Sequence, residues 1–426
     1  MKQFLLLIVV FAGQVWADLT IEITQGIKDA VPIAVVPFGT SGLISPDTDI
    51  AEVISRDLEL SGQFKPLSPD LMLSTPHLQE DVAFSDWRKA KVDYLLIGNL
   101  EAGSGDNYRI RYQLFDVYKQ QSIGDGVFPV KKNQLRKGAH FISDDAYERI
   151  TGVKGVFSTR IMYVTVNKDE AKPYQLQMAD SDGFNAKTIL RSKEPLLSPN
   201  WSPDGYKVAY VSFQSSRPAI YMQELNTGKQ ERLTNFKGLN GAPAWSPDGK
   251  QLAMVLSKDG NPEIYVMDMS SRALSRVTHH RGIDTEPAWS ADGGMIYFTS
   301  NRGGSAQIYK IPVKGGRAER ITFEGKYNAK PVISPDGRYL VMVHKSKDKR
   351  YHIGVKDLDK DVFAIVTDTR LDESPSIAPN GSMLIYASID EQGEGILSAV
   401  SPDGRVKFRL PAKKGEVREP AWSPFY

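Results

Sequence analysis

The sequence predicts an α+β multidomain protein in which a small α/β domain with a mixed sheet and two helices precedes a six-bladed β-propeller. Three observations support this fold class. A short motif recurs at a fixed spacing through the C-terminal part, the N-terminal part has no repeat, and the two ends of the repeated region complement each other. The chain has 426 residues, which is enough for two or three domains.

The repeated motif has the form Trp-Ser-Pro-Asp-Gly, with Ile in place of Trp in two copies. Successive copies begin 44 residues apart. A constant period of this length is typical of stacked-repeat folds. Proline and glycine at these positions favour a tight turn, and each unit carries four short strand patterns, as one propeller blade does. We therefore expect the motif to be structural, with its aromatic residue packed between blades. The copies begin at Trp201, Trp245, Trp289, Ile333 and Ile377, with a truncated copy at Trp422.

The two ends of the repeated region predict how the propeller closes. The copy at Trp422 has no strand pattern after it, whereas the strand patterns at 160–166, 174–178 and 188–190 have no motif before them. One blade built from both ends would leave no open sheet edge in the ring. Five whole blades and one shared blade predict a six-bladed propeller over residues 160–426.

Residues 18–155 predict the α/β domain. A continuous apolar run at Pro32–Phe38 indicates a strand buried on both faces. Apolar residues recur at helical spacing within Asp47–Leu60 and again within 135–150. Further strand patterns occur at 19–24, 92–98 and 108–116.

Residues 1–17 have the three parts of a secretory signal peptide. Lys2 precedes an apolar run, and Val15-Trp16-Ala17 offers small residues for cleavage between Ala17 and Asp18. The run is too short to span a bilayer, and the alternative is a buried N-terminal strand. The chain has no cysteine, which excludes disulfides and a lipid-anchored cysteine. We expect a soluble, monomeric protein in the periplasm of a Gram-negative bacterium.

The composition offers little that indicates catalysis. The net charge is +2 and no basic run occurs, so nucleic acid is not an expected partner. No nucleophile elbow, phosphate loop or spaced metal-ligand set is present, and we expect no cofactor. The pair His279-His280 is interpreted as surface loop, with a metal ligand as the alternative. One set of acidic residues either lines a channel mouth, where it binds a cation or basic groups, or is solvated: Asp284, Glu286, Asp372, Glu373, Glu416 and Glu419.

Several segments together resemble the TolB family, the periplasmic propeller proteins of the Tol–Pal system of Gram-negative bacteria. The resemblance extends over nearly the whole chain. The motif alone is shared with peptidase propellers, whereas its combination with this N-terminal domain is specific. The segments are the signal peptide, Pro32–Phe38, Thr151–Phe157, Asn240–Ala244, Thr285–Pro287, Leu371–Glu373 and Pro420–Pro424.

The resemblance implies a non-enzymatic role in outer-membrane integrity and in constriction at cell division. It implies that the propeller loops bind the lipoprotein Pal and that the mature N-terminal peptide binds TolA, with outer-membrane porins and colicins as further partners. The expected Pal-binding residues are Asn240, Ala242, Thr285, Glu286, Lys330, Asp372 and Glu373. The expected TolA-binding residues are Asp18, Leu19, Thr20, Ile21, Glu22, Ile23 and Thr24.

Two other functions fit a propeller. The first is the gating propeller of a serine peptidase, which would need a hydrolase domain and a Ser/Asp/His set that the sequence lacks. The second is a lyase or sugar-binding enzyme that acts through histidines and acids in the channel. Turnover of a polysaccharide or peptide would favour this second alternative.

Overall fold

The structure is a computed structural model that describes residues 21–22, 30–41 and 48–425. The strands of its N-terminal domain form one mixed sheet with the order β4-β2-β5-β6-β7 and with β3 beside β5. Strands β2, β4 and β5 are parallel, whereas β5, β6 and β7 are antiparallel. The strands are β2 (Val31–Val35), β3 (Gly39–Ser41), β4 (Phe64–Pro66), β5 (Tyr94–Ala102), β6 (Asn107–Asp116) and β7 (Gln121–Lys131).

Three α-helices accompany this sheet: α1 (Ile50–Leu60), α2 (Phe84–Lys89) and α3 (Leu135–Thr151). Helix α1 begins after Asp49, whose side chain accepts a hydrogen bond from the Glu52 N–H at 3.1 Å and so caps the helix. Helix α3 ends at Gly152, whose φ of 75° is the left-handed conformation that glycine adopts without a Cβ clash. Short 3₁₀ helices lie at Pro69–Leu71, Gln79–Asp81 and Lys132–Gln134.

The continuous apolar run of β2 is explained by its two covered faces. Ile33 and Val35 pack in a core with α1 and α3, whereas Ala34 and Val36 pack on the other side around Trp87 of α2. Helix α2 has six residues, which is too short for a helical period to be recognised in the sequence. The two longer helices are those that the sequence predicts.

The C-terminal domain is a ring of six antiparallel blades of four strands each, the six-bladed propeller expected from the repeat, and β1 (Ile21–Glu22) adds a fifth strand to the sheet of blade 6. Blade 1 contains β8 (Arg160–Val166), β9 (Tyr174–Asp180), β10 (Lys187–Ser192) and β31 (Glu416–Trp422); blade 2 contains β11 (Leu196–Trp201), β12 (Lys207–Ser212), β13 (Ala219–Glu224) and β14 (Gln230–Arg232). Blade 3 contains β15 (Asn240–Trp245), β16 (Gln251–Leu256), β17 (Glu263–Asp268) and β18 (Leu274–Arg276); blade 4 contains β19 (Asp284–Trp289), β20 (Met295–Ser300), β21 (Gln307–Pro312) and β22 (Glu319–Arg320). Blade 5 contains β23 (Asn328–Ile333), β24 (Tyr339–Lys345), β25 (Tyr351–Asp357) and β26 (Val362–Ile365); blade 6 contains β27 (Asp372–Ile377), β28 (Leu384–Ile389), β29 (Gly395–Val400) and β30 (Lys407–Leu410).

Blade 1 closes the ring in the way that the two ends of the repeat predict. Its innermost strand, β31, comes from the C-terminus and pairs antiparallel with β8, with Trp422 opposite Ile161 and Val417 opposite Thr165. The Arg160 N–H also donates to Ser423 Oγ at 3.0 Å. Both ends of the domain therefore hold the ring together.

The motif residues have structural roles. Trp201 and Trp289 are buried between blades, and their indole N–H groups donate to backbone oxygens of the preceding blade, Ala421 at 3.1 Å and Ala244 at 2.9 Å. In the turn, Asp248 accepts hydrogen bonds from Ser246 Oγ at 2.7 Å and from the Lys250 N–H at 3.0 Å. These hydrogen bonds hold the pKa of Asp248 below its ordinary value. The carboxylate therefore has a structural role in shaping the turn.

The two ends of the propeller differ in what covers them. We call the end at which the innermost strands begin the loop face, and the end that carries the motif turns the turn face. The N-terminal domain packs on the turn face at blades 1 and 6, where Asn380 Nδ2 donates to the Lys154 carbonyl at 2.8 Å. The loop face is left uncovered by the described residues. No helix in the described ranges has the length and apolar character needed to cross a membrane.

Candidate partner-binding face and channel

Each innermost strand carries the same irregularity, a β-bulge at an X-Pro pair. The residue before the proline has a positive φ, although none of these six residues is glycine. We call these residues the channel ring: Ser198 (φ 51°), Ala242 (45°), Glu286 (54°), Lys330 (55°), Ser374 (57°) and Glu419 (51°).

The channel ring is a property of the propeller, since all six blades adopt it. The proline that follows disfavours the right-handed helical conformation, and the bulge redirects the strand. A left-handed conformation costs a residue with a Cβ on the order of 1–2 kcal/mol. The side chain at this position changes from blade to blade while the backbone stays the same, so the ring is a fixed frame with variable chemistry.

The ring surrounds a central channel with a cavity of about 480 Å³. Lys330 spans it from blade 5, because its Nζ lies 2.6 Å from Ser374 Oγ in blade 6 and 2.6 Å from Glu419 Oε2 in blade 1. From blade 4, Glu286 Oε2 accepts from the Lys330 N–H at 2.8 Å and from Thr299 Oγ1 at 2.8 Å. Polar contacts therefore connect four of the six blades across the channel.

The electrostatics of the ring favour a charged lysine. Burial lowers the pKa of Lys330, but the carboxylates of Glu419 and Glu286 outweigh this effect and hold the pKa above its ordinary value. With two glutamates and one lysine, the ring carries one more negative than positive group. A basic group of a partner is therefore the charge that this channel mouth accommodates best.

The structure brings together part of the Pal-binding set expected from the sequence. Ala242, Glu286 and Lys330 belong to the channel ring, and Thr285 and Glu373 each lie next to a ring residue in the chain. Thr285 is half-buried and Glu373 is exposed. Ala242, Glu286 and Lys330 line the channel cavity, and Glu373 lines a separate cavity formed by blades 6 and 1.

Asn240 and Asp372 differ from the other five because both are fully buried. The Asn240 amide donates to the Phe236 carbonyl at 2.8 Å, and Asp372 accepts from Thr367 Oγ1 at 2.5 Å and from Ser388 Oγ at 2.8 Å. Their side chains hold the loop before the strand in shape, which leaves them no direct contact with a partner. The sequence does not distinguish them from the exposed positions because all lie within the same variable segment.

The remaining acidic residues expected at the channel mouth also differ in burial. Asp284 is fully buried and pairs with Arg302 at 2.6 Å and with Ser300 Oγ at 2.6 Å. Glu416 is partly exposed and pairs with Arg418 at 2.6 Å. Of the acids that sequence analysis assigned to this mouth, Glu286 and Glu419 belong to the channel ring itself.

Exposed apolar side chains border the loop face, a feature that sequence analysis did not single out. Leu239 and Ile283 occupy the same repeat position in blades 3 and 4 and are 39% and 48% exposed. Phe323, in the loop before blade 5, is 68% exposed. We call these three residues the apolar rim. Comparing the repeats position by position would have identified the pair Leu239 and Ile283.

Only two residues of the expected TolA-binding peptide are described. Ile21 and Glu22 form β1 (Ile21–Glu22), which pairs antiparallel with β30 opposite Phe408 and Lys407 and extends blade 6 by one strand. The other expected residues, Asp18, Leu19, Thr20, Ile23 and Thr24, lie outside the described residues. So do the predicted signal peptide, 1–17, and its cleavage site between Ala17 and Asp18.

The histidine pair is consistent with its interpretation as loop. His279 is exposed, and His280 Nδ1 accepts a hydrogen bond from the Gly282 N–H at 2.9 Å. Among the described residues, one group of three potential metal ligands occurs, and it is elsewhere: Asp57, His140 and Asp182, all buried between the two domains. These residues are far apart in the chain, so no spacing could reveal them.

The fold and the site define a class of protein: a two-domain propeller protein whose N-terminal domain covers one face and leaves a charged channel with an apolar rim open on the other. The TolB beta propeller domain family matches residues 147–426, and the TolB amino-terminal domain family matches residues 19–123. The chain belongs to the TolB family.

Close relatives agree with this assignment. The Tol-Pal system protein TolB of Nitrosococcus oceani is 59% identical over 422 residues, covering 99% of this chain and 96% of the relative. That of Alcanivorax borkumensis is 56% identical over 410 residues, covering 96% and 94%. The crystal structure of TolB from Acinetobacter baumannii is 42% identical, with a TM-score of 0.87 over 96% of this chain and 100% of that chain. The predicted fold class is confirmed.

Proposed function

We propose that this protein is a non-enzymatic, periplasmic component of the Tol–Pal system that binds Pal through the loop face of its propeller and TolA through its mature N-terminal peptide. In this role it supports outer-membrane integrity and constriction during division, with porins and colicins as further partners. Family membership supports the assignment to the system, since the relatives are Tol-Pal system proteins. The finer statements rest on the family resemblance, and the loop face and the position of β1 support the two binding sites.

The observation that carries the Pal proposal is the combination of channel ring and apolar rim on the uncovered face. Protein interfaces commonly have buried apolar anchors together with a few well-placed polar groups. Leu239, Ile283 and Phe323 are exposed apolar side chains of this kind, and Glu286 and Glu419 offer carboxylates to a basic group. Because the frame is rigid, a partner would bind without large rearrangement of the blades.

The observation that supports the TolA proposal is the position of β1. Ile21 and Glu22 pair with β30 at the outer edge of blade 6, where a strand can be exchanged for a strand of a partner. We propose that TolA binds residues 18–24 in this way.

A non-enzymatic role fits the arrangement of reactive groups. The sequence carries none of the catalytic motifs considered above, and the buried group Asp57, His140 and Asp182 lies between the domains and away from the channel. The channel itself holds carboxylates that are either paired with Lys330 or hydrogen-bonded. Ser374 Oγ lies 2.6 Å from Lys330 Nζ, but the raised pKa of Lys330 keeps this amine protonated, so it does not serve as a general base.

The test of the Pal proposal is calorimetric titration of residues 18–426 with the soluble periplasmic domain of Pal. We expect saturable binding that Thr285→Arg weakens by about tenfold or more, because the long charged side chain would fill the channel mouth. The matched control is Thr227→Arg, the same substitution in the exposed turn between β13 and β14 on the turn face. Equal affinity of the two variants, with both folded, would contradict the proposal.

The TolA proposal is tested by comparing residues 18–426 with residues 27–426 for binding to the soluble domain of TolA. We expect the shorter chain to lose TolA binding while keeping its thermal unfolding midpoint. Retained binding would place the TolA contact elsewhere. Cell fractionation and N-terminal sequencing test the localisation, with a periplasmic protein that begins at Asp18 as the expected result.

A further inference from the structure

The two domains meet at a buried set of charged side chains. Asp57 comes from α1, and Arg136 and His140 come from α3, all in the N-terminal domain. Asp182 lies in the turn between β9 and β10, on the turn face of the propeller. Arg136 pairs with Asp182 across the domain boundary. We call these four residues the interdomain clasp.

His140 is the centre of the clasp. Its Nδ1 lies 2.7 Å from Asp57 Oδ2, which also accepts from Ser143 Oγ at 2.7 Å. Its Nε2 has no hydrogen-bond partner within normal distance and lies 3.6 Å from Asp182 Oδ2. The side chain of His140 is 2% exposed, so bulk water does not reach Nε2 to form a hydrogen bond with it.

The charge state of His140 follows from what faces each ring nitrogen. A neutral imidazole that donates from Nδ1 to Asp57 would direct the Nε2 lone pair at the Asp182 carboxylate, which is repulsive. A protonated imidazole directs an N–H at each carboxylate instead. With Arg136 on the other side of Asp182, the protonated clasp has two cations and two anions, and its charges balance.

The other charged groups around the clasp are engaged elsewhere. Arg56 of α1 stacks 5.2 Å from the centre of the Phe184 ring. Arg136 of the clasp stacks on the same ring at 4.1 Å. Asp144 of α3 accepts from the backbone N–H groups of Phe157 at 2.7 Å and Ser158 at 3.1 Å, in the segment that joins the domains. The clasp therefore depends on the proton of His140 for its balance.

We infer that a proton on His140 holds the N-terminal domain on the turn face of the propeller, so that this interface loosens when the proton is lost. Asp57, His140 and Asp182 lie close enough together to bind a metal ion. Existing contacts of the two carboxylates nevertheless favour a proton over a metal ion. Arg136 already neutralises Asp182, and Asp57 already accepts from His140 and Ser143. A divalent cation would have to displace or repel the guanidinium.

The electrostatic environment agrees with the geometry. Burial lowers the pKa of His140, but the carboxylates of Asp57 and Asp182 outweigh this effect and raise the pKa to about 9. Burial raises the pKa of Asp57 as well, against the lowering effect of the contacts with His140 and Ser143. Deprotonation above the raised pKa leaves two buried carboxylates with only Arg136 to balance them.

The first test measures the proton directly, by NMR titration of isotopically labelled histidines in residues 18–426. We expect the His140 resonances to remain those of the protonated ring at pH 8. His344 is the internal reference, because burial and the neighbouring His352 lower its pKa and keep it neutral. A His140 that is neutral at pH 7 would overturn the inference whatever the variants do.

The second test measures the interface. The chain has no cysteine, so Glu148→Cys on α3 and Lys187→Cys on β10, both exposed positions, provide one spin-label pair across the domains. We expect one narrow distance distribution at pH 7 and a broad one at pH 10, because the docking equilibrium constant should fall on the order of a hundredfold between these two pH values. His140→Gln should give the broad distribution at both pH values, and His344→Gln should behave like the parent protein.

Two outcomes of the second test would overturn the inference. The first is a distribution that does not change with pH in the parent protein. The second is narrowing by added Zn²⁺ at pH 9 in the parent protein but not in His140→Gln, which would identify the cluster as a metal site. If His140→Gln does not fold, Asp182→Asn serves as the second variant and should reduce the pH dependence, because it removes the carboxylate that Nε2 faces.

Discussion

The channel ring and the interdomain clasp both place charged side chains inside the protein, but they differ in how the chain builds them. The channel ring repeats one backbone position in six blades and remains open to solvent. The clasp joins single residues from α1, α3 and the β9–β10 turn and is sealed by both domains. A repeated and open site suits recognition of a partner, whereas a unique and closed site suits the fixing of one domain on another.

The difference in exposure determines how much free energy of unfolding is lost when a charged side chain loses its partner. The side chains of Lys330 and Glu419 in the ring are 27% and 20% exposed, and those of His140 and Asp182 in the clasp are 2% and 4% exposed. Water can therefore replace a lost partner in the channel but not in the clasp. Substitutions in the clasp should affect stability, and substitutions on the loop face should affect binding.

The largest effect is expected for Asp182→Ala, which leaves the buried His140 and the partly buried Arg136 as cations without a carboxylate from the propeller. Breaking one partner of a buried ion pair costs about 3–5 kcal/mol. Denaturant unfolding of residues 18–426 measures the loss. Asp180→Ala is the matched control, because the Asp180 side chain bonds to Asn185 near the surface and should cost about 1 kcal/mol or less. Similar losses in both variants would remove the special role of the clasp.

The next effect is the dependence of stability on pH. The pKa of His140 is raised from 6.5 to about 9 on folding, so its contribution is fully present below pH 6.5 and is lost as pH rises through 9. The expected loss is on the order of 2–3 kcal/mol. It should be absent in His140→Gln.

A smaller effect on stability is expected for Lys330→Met in the channel. The substitution removes the contacts with Ser374, which is buried, and with Glu419, which remains accessible to water in the channel. We expect a loss of about 1 kcal/mol in the free energy of unfolding. Affinity for a basic partner should increase, since the channel ring then carries two uncompensated carboxylates. Reduced affinity in calorimetry would show that Lys330 itself is a contact.

The smallest effect on stability is expected for Phe323→Ser on the apolar rim. The side chain is 68% exposed, so the free energy of unfolding should change by about 0.5 kcal/mol or less. Pal affinity should nevertheless decrease if the rim is an anchor. Val362→Ser, on an outer strand and 57% exposed, is the matched control and should leave affinity unchanged. Loss of affinity in the control alone would move the interface away from the channel.

The sequence predicts what repetition and periodicity encode. The 44-residue repeat predicts the propeller and its closure through Trp422, and the apolar pattern of Ile50–Leu60 predicts α1. Part of the site follows from the same repeat, since Ala242, Glu286 and Lys330 occupy equivalent positions. The sequence does not separate these from Asn240 and Asp372, because the bulge that directs one residue to the channel and another to the interior depends on strand pairing.

The clasp lies beyond what sequence patterns encode. Asp57, His140 and Asp182 share no spacing, and each stands in a helix or turn that other residues already explain. Their proximity results from the docking of two domains, which is a tertiary property. Single residues that meet only in the folded protein are therefore recognised from the structure alone.

In the proposed function, the loop face binds Pal while the turn face holds the N-terminal domain. Amide hydrogen exchange of residues 18–426 at pH 7, with and without the soluble domain of Pal, tests both roles in one measurement. We expect new protection around Leu239, Ile283 and Phe323 and unchanged protection at α1 and α3. Protection confined to the N-terminal domain, with no change in the propeller loops, would contradict it.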